Sequence, residues 1–222
     1  MNTRTLKDGL YAQVARVGSA LASPKRLELV ELLAQGEKSV EALAQAAAID
    51  VKLASAHLRV LRGAQLVDVR RDGRHRVYRL SGADVSALWV QLRELATAHL
   101  AELQLAMQQL LAAPERLTPH SAAALLARVR RGDVVLLDVR PHGEYRAAHL
   151  PGARSIPLDE LEARLGELPR GCDVIAYCRG PFCVMSDAAV ELLERHGLRA
   201  RKHADGVPQW RAAGLPLESA SV

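Results

Sequence analysis

Aromatic residues are scarce in this chain. Two Trp, four Tyr and one Phe account for 3% of it, while apolar residues make up 49%. The apolar content is mostly Leu, Ala and Val, which favours helices over an all-β sandwich. Cysteine is also sparse, and the three present do not read as a disulfide framework. In a reducing compartment they are reactive or merely buried thiols. No run of about 18 apolar residues occurs, since even the Leu-rich stretch near Leu100 is broken by Glu and Gln. Met1 to Gly9 is polar and charged, without the apolar centre of a signal peptide. These absences predict a soluble, cytoplasmic protein with no membrane partner.

What is present is a local excess of arginine. Between Arg59 and Arg79 stand Arg59, Arg62, Arg70, Arg71, Arg74, Arg76 and Arg79 against Asp68 and Asp72, a net of +5 that equals the excess of the whole chain. Such a footprint points to a polyanion partner rather than to a merely solvated hairpin.

At 222 residues, with 25% charged, the chain has room for two ordinary domains. Ala112-Ala113-Pro114-Glu115-Arg116-Leu117-Thr118-Pro119 reads as their junction, because two prolines in a short polar stretch stop a helix. The expected division is 1–113, a linker at 114–119, and 120–222.

In the first part a helix is expected over Tyr11–Leu21. Ser23 then caps a second helix, with Pro24 at its first position, running from Lys25 to about Ala34 before Gly36. A third starts at Ser39 and turns Val40, Leu43 and Ala44 inward. Ala48-Ile49-Asp50 makes a short turn, and Asp50 caps a fourth helix over Val51–Arg62, which fits a helix-turn-helix. Leu66–Arg71 and Arg74–Leu80 around Asp72-Gly73 form a hairpin. Helix-turn-helix followed by a basic hairpin is an α+β winged-helix arrangement. Its recognition helix would enter the major groove while wing arginines hold phosphate. A continuous final helix, Asp84 to about Leu111 and about 42 Å long, carries two apolar stripes. Val85, Leu88, Leu92 and Leu95 lie on one, and Trp89, Ala96, Leu100 and Met107 on the other. Two stripes imply a second copy of the chain, hence a homodimer suited to a palindromic operator in double-stranded DNA.

The runs Ser23-Pro24-Lys25-Arg26-Leu27-Glu28-Leu29, Ala56-His57-Leu58-Arg59-Val60-Leu61-Arg62 and Val77-Tyr78-Arg79-Leu80 resemble the ArsR-type repressors over roughly residues 10–110. The resemblance implies a dimeric repressor released from DNA by an inducer. It makes Lys52, Ser55, His57 and Arg59 recognition-helix candidates, with Arg70, Arg71, Arg74 and Arg76 in the wing. Many members of that family carry Cys-x-Cys in the third helix. Here Glu37-Lys38-Ser39-Val40-Glu41 offers no sulfur, which excludes a soft-metal site there. His99-x-x-Glu102, with Asp84 at a distance, matches half of another family metal site. Ser86 stands where a second histidine would help, so no metal is expected.

The second part alternates Val/Ile/Leu runs with helical periods, the rhythm of a parallel α/β sheet with helices on both faces. Val134–Val139, Arg140-Pro141-His142-Gly143-Glu144-Tyr145, His149-Leu150-Pro151-Gly152, Asp173–Cys178 and Gly206-Val207-Pro208-Gln209-Trp210 together look like a single rhodanese-like domain. Cys178 ends an apolar strand before a helix. The intervening Arg179-Gly180-Pro181-Phe182-Cys183 must curl, and its N–H groups with the helix dipole favour a thiolate. That thiolate would take sulfane sulfur and hold it as a persulfide. Arg179 is expected to attract an anionic donor such as thiosulfate or a polysulfide. Asp138 and Arg140 match family positions, where they would brace the site. A related phosphatase loop needs Arg six positions after the cysteine. Val184 stands there, so sulfur transfer is favoured over phosphoryl transfer. Cys183 is unusual, because rhodanese loops generally close with a polar or basic residue; it either partners Cys178 or packs under the loop.

The leading expectation is a repressor that senses reactive sulfur or oxidants through Cys178, with no cofactor. Two alternatives stay open. One is a working sulfurtransferase whose winged helix mainly dimerises it; the other is an arsenic or metal sensor using Cys178 and Cys183.

Overall fold

The computed structural model describes residues 2–110, 114–118 and 121–220. The chain divides into one unit up to Trp89 and a second from Val90 onward.

The first unit opens with helix α1 (Thr3–Leu21), capped by Asn2, whose side chain accepts from the Arg4 N–H. It begins eight residues before the expected Tyr11, because an Asn cap is available and residues 3–10 hold no proline. Helix α2 (Pro24–Ala34) starts with proline at its first turn, although the Ser23 side chain makes no cap bond. Strand β1 (Lys38–Ser39) leads into α3 (Val40–Ala46), capped by Ser39, and Asp50 caps α4 (Val51–Gly63) through a 2.8 Å bond from the Leu53 N–H. Ala54, Leu58 and Leu61 of α4 pack on Leu29, Val30, Leu33 and Leu43, a small core built by the three- and four-residue spacing of each helix.

Strands β2 (Val67–Asp72) and β3 (His75–Leu80) pair antiparallel, with β1 on the other side of β3. Asp72 faces His75, so the loop residues are Gly73 and Arg74 rather than Asp72 and Gly73. Gly73 has φ +56°, as a glycine in the first position of a two-residue hairpin loop supplies.

The expected continuous final helix is instead two: α5 (Ala83–His99) and α6 (Ala101–Leu110). The cause is local. The Gln104 side-chain amide donates to the Thr97 carbonyl at 2.8 Å and to that of Ala98 at 3.4 Å, inserting into the backbone ladder at the break. Leu111, Ala112, Ala113 and Pro119, parts of the expected helix end and linker, lie outside the described residues. Of the rest of that linker, Thr118 N–H donates to the Lys202 carbonyl at 2.8 Å and Leu117 bridges to Lys202, so this stretch is tied to a sheet edge.

The second unit is built on a parallel sheet of β4 (Val134–Asp138), β5 (Arg154–Ser155), β6 (Asp173–Tyr177) and β7 (Ala200–Lys202), in the order β5-β4-β6-β7. Strand alternation produces two cores. Val135, Leu137, Val174 and Ala176 face one side with Ala189, Val190 and Leu193 of α10 (Met185–Arg195). Val134, Leu136, Ile175 and Tyr177 face the other, with Leu125 of α7 (Ala122–Arg131) and Trp210 of α11 (Val207–Ala212). Short helices α8 (His142–Ala147) and α9 (Leu158–Leu161) complete the connections. Helices on both faces of a parallel sheet are the expected α/β architecture. No helix among the described residues is long and apolar enough to cross a membrane.

Candidate functional site

Cys178 follows the last residue of β6, at the carboxyl end of the sheet where α/β folds place their sites. The chain then turns through Arg179 to Val184 into α10. Gly180 holds φ +143°, and a Cβ there would lie 2.8 Å from Gln209 Oε1. Gly206 passes still closer: a Cβ on it would stand 2.5 Å from the Cys178 carbonyl oxygen and 2.6 Å from that of Arg179. The Gly206 N–H donates to Gln209 Oε1 at 2.8 Å, so the closing Gly206-to-Gln209 run clamps the base of the loop.

Cys178 is buried, yet its surroundings favour the anion. Burial pushes the thiol up, but hydrogen bonds from the Cys183 and Ser186 side chains and from the Gly180 and Ser186 backbone outweigh it and lower it to about 6. Ser186 Oγ lies 3.3 Å from Cys178 Sγ. Protonated, the thiol has its own acceptor in the Cys183 carbonyl at 3.4 Å. Cys183 moves the opposite way. Its thiol is pushed well up, first because it donates to Cys178 and then by burial. Cys178 is therefore the more acidic of the loop's two thiols and Cys183 the less acidic, and neither is in a disulfide. Cys172 stands apart, packed at the base of β6.

Arg179 does not present an open charge. Its Nη2 donates to Glu144 Oε1 at 2.8 Å and its Nε lies 3.1–3.2 Å from both carboxylate oxygens. Glu144, from α8, is 2% exposed. Burial works against the Arg179 charge, but the Glu144 bonds dominate and hold it above its ordinary value. Asp138 and Arg140 touch neither thiol. They form a fully buried pair, with Arg140 Nη2 at 2.6 Å from Asp138 Oδ2 and 2.8 Å from the Ala148 carbonyl. The Tyr177 hydroxyl donates to Asp138 at 2.5 Å and accepts from the Leu150 N–H at 3.1 Å. Burial and then the Asp138 charge hold that phenol well above its usual value, so it remains a neutral donor. The pair thus ties the end of β4 to the end of β6, one residue before Cys178.

Glu144, Tyr177, Ser186, Gly206 and Gln209 carry no role in the sequence reading. Four of them lie within or beside motif runs, and Ser186 sits at the start of α10. Which of them meet is decided by the fold.

The basic surface divides similarly. Lys52, Ser55 and Arg59 share one face of α4, beside the buried stripe of Ala54, Leu58 and Leu61, and Arg62 continues the row. His57 does not join them: two residues from both Ser55 and Arg59, it points about 200° away and is half-buried. Arg62 lines one concavity with Arg70, Arg71, Arg74, His75 and Arg76. Arg70 is engaged, at 2.5 Å from Glu37 and 2.9 Å from Asp72, and Arg71 donates to the Gly73 carbonyl. Among the described residues Arg74 and Arg76 have no ion-pair partner. Arg71 and Arg76 stand directly opposite across the hairpin, a like-charge pairing that costs stability unless a polyanion lies over it. No group of three His, Cys, Asp or Glu side chains converges among the described residues, and His99 and Glu102 fall on either side of the α5–α6 break.

Residues 23–69 match the bacterial regulatory protein arsR family, and residues 121–213 match the rhodanese-like domain. The chain is 45% identical over 212 residues to an HTH-type transcriptional regulator, Rv0324, of Mycobacterium tuberculosis, covering 96% of this chain and 93% of that one. A sulfurtransferase of Allochromatium vinosum is 29% identical over 85 residues, 38% of this chain and 78% of its own. A solved homodimeric winged helix-turn-helix domain from Mycobacterium bovis is 43% identical, covering 46% of this chain and 93% of that chain, with TM-score 0.42.

Proposed function

Since this chain belongs to the ArsR-family transcriptional regulators and carries a C-terminal rhodanese-like domain, we propose that it is a dimeric cytoplasmic repressor whose hold on a palindromic operator responds to sulfur loaded on Cys178. The DNA-binding and dimerisation part would extend to about residue 113 and the sensing part from about residue 120. The observation that carries this reading is Cys178 at the end of β6, with Ser186 Oγ 3.3 Å away and a second free cysteine, Cys183, whose carbonyl lies 3.4 Å from Cys178 Sγ.

The chemistry follows from that contact. The Cys178 thiolate attacks the sulfane sulfur of a donor and becomes Cys178–S–SH, while the donor leaves as its own anion. Capping Cys178 removes the thiolate that chiefly keeps Cys183 protonated. Cys183 then attacks the inner sulfur, giving a Cys178–Cys183 disulfide and releasing the outer sulfur as hydrogen sulfide. A loop that ends in a disulfide reports on sulfur instead of passing it on, which favours sensing over steady sulfur transfer. The test is DNA release by parent and Cys178→Ser protein on adding a polysulfide. The parent should dissociate and the variant should not; equal release overturns the reading.

DNA contact rests on the row Lys52, Ser55, Arg59, Arg62 and on the wing. Changing Arg74 and Arg76 together to Ala should weaken binding on every sequence and flatten the log K against log salt slope by about one unit per lost phosphate contact. Arg70→Ala should do less, because Glu37 and Asp72 already neutralise it. Equal slopes for parent and double variant would take the wing off the phosphates.

The dimer is supported by apolar surface left bare. Leu6, Leu10 and Val14 of α1 repeat every four residues, with Leu10 69% exposed, and Leu95 of α5 is 58% exposed. A second copy would cover both. Leu10→Asp or Leu95→Asp places an unpaired charge in that interface, at a cost of several kcal/mol. Sedimentation should then show monomer, and palindrome binding should be lost. A variant that stays a tight dimer refutes the assignment for its helix.

A further inference from the structure

The same loop also constrains which sulfur donor it accepts, an inference that rests on the persulfide reading above. Thiosulfate is a dianion, and its approach to a buried thiolate brings like charges together. A site built for it must supply cationic donors that outweigh the repulsion. Here the one guanidinium in the loop is already spent on a carboxylate, since Nε and Nη2 of Arg179 both bond to Glu144. The pair is close to neutral overall, and Arg179 is only 19% exposed.

The loop's other donors, the backbone N–H groups of Arg179, Gly180, Met185 and Ser186, are turned on the two cysteine sulfurs, which leaves little to hold a second anion. The closing position is Cys183, kept as a thiol. Pro181 has no N–H, and the Cys183 N–H is bound to the Gly180 carbonyl at 3.0 Å. The rim is apolar: Pro181 and Phe182 are half-buried and Val184 is 52% exposed. Arg93 sits on the face of Phe182, 5.8 Å from the ring centre, and is only 5% exposed.

We propose that the donor is an organic hydropersulfide with an apolar substituent, taken in its neutral form, and that the Glu144–Arg179 pair excludes thiosulfate. The step balances without any other reactant. Cys178–S⁻ attacks the outer sulfur of R–S–SH, the donor's S–S bond breaks as the new one forms, the proton stays on the transferred sulfur, and R–S⁻ leaves with the charge. Backbone N–H groups around the thiolate remain as donors for the persulfide, and the apolar rim accepts R.

The experiment measures loading of one sulfur on Cys178 in the full-length protein by mass spectrometry, with benzyl hydropersulfide and with thiosulfate. Each rate is divided by that of a small free thiolate with the same donor, which removes the donors' intrinsic difference. The normalised thiosulfate rate should fall below the other by roughly 10- to 100-fold, the worth of one hydrogen bond to a charged group. Glu144→Gln, which releases Arg179 from its counter-charge, should raise the ratio of thiosulfate to hydropersulfide loading by a similar factor. A normalised thiosulfate rate equal to or above the hydropersulfide rate overturns the donor assignment while leaving persulfide formation standing, and this comparison needs no variant. A folded Glu144→Gln protein with an unchanged ratio removes the pair from specificity and overturns the proposal. Loading by neither donor defeats both the proposal and the persulfide reading beneath it.

Discussion

Asp138→Ala destabilises the C-terminal unit by roughly 3–5 kcal/mol, the cost of stripping the partner from a buried charge. Arg140 is fully buried, and burial alone would work against its charge; the hydrogen bonds it donates to Asp138 are what hold it protonated. Without the carboxylate, a guanidinium and the Tyr177 hydroxyl both lose an acceptor inside the protein. Urea unfolding followed through the buried Trp210 reads this as a large drop in midpoint. Removing both charges as Asp138→Leu with Arg140→Met should recover much of the loss, because two apolar side chains leave no orphan. A single variant as stable as the parent, or a double variant no better than the single, would show that the pair does not brace the strand ends.

Alkylation of Cys178 should follow a pH profile with its midpoint near 6, the value to which its hydrogen-bond donors lower it. The sign is that of a depressed acid: reactivity is present at neutral pH and is lost as pH falls through about 6. At pH 7 the thiolate fraction would exceed that of an ordinary thiol, with pKa about 8.5, by roughly 30-fold. Ser186→Ala removes one donor and should move the midpoint up by roughly one unit. Cys178→Ser should abolish both the alkylation and the gain of one sulfur, about 32 Da, from a sulfane donor. Cys183→Ser should still load sulfur while losing donor-dependent release from DNA. A midpoint near that of a free thiol would remove the thiolate, and a Cys183→Ser protein that releases DNA as the parent does would reduce Cys183 to packing.

Much of the architecture was legible in the residues. Apolar spacing, the Asp50 cap, the glycine at the hairpin tip and the alternation of Val/Ile/Leu runs with helices each act over a few residues. They emerged where they were read. The misses were also physical. The chain from 3 to 10 has no apolar stripe that its own unit buries, so the expected helix starts at Tyr11 rather than at Thr3. The break at Leu100 depends on a Gln104 side chain reaching back to the Thr97 carbonyl, which periodicity does not register.

For the site, the sequence by itself determined which cysteine ends an apolar strand, the loop that must curl after it, and where arginine concentrates. These follow from residue type and order, because a strand-to-helix junction constrains its own backbone. Only the tertiary structure decided the charge states and the partners. Glu144 and Arg179 are 35 positions apart and Asp138 and Tyr177 are 39, yet each pair is in contact. An arginine read as open to an anion is thereby closed, and two cysteines of one loop are moved in opposite directions, Cys178 toward the thiolate and Cys183 toward the thiol. Electrostatics and desolvation act through space, so their outcome is set when β4 and β6 pair, after local sequence preferences have been exhausted.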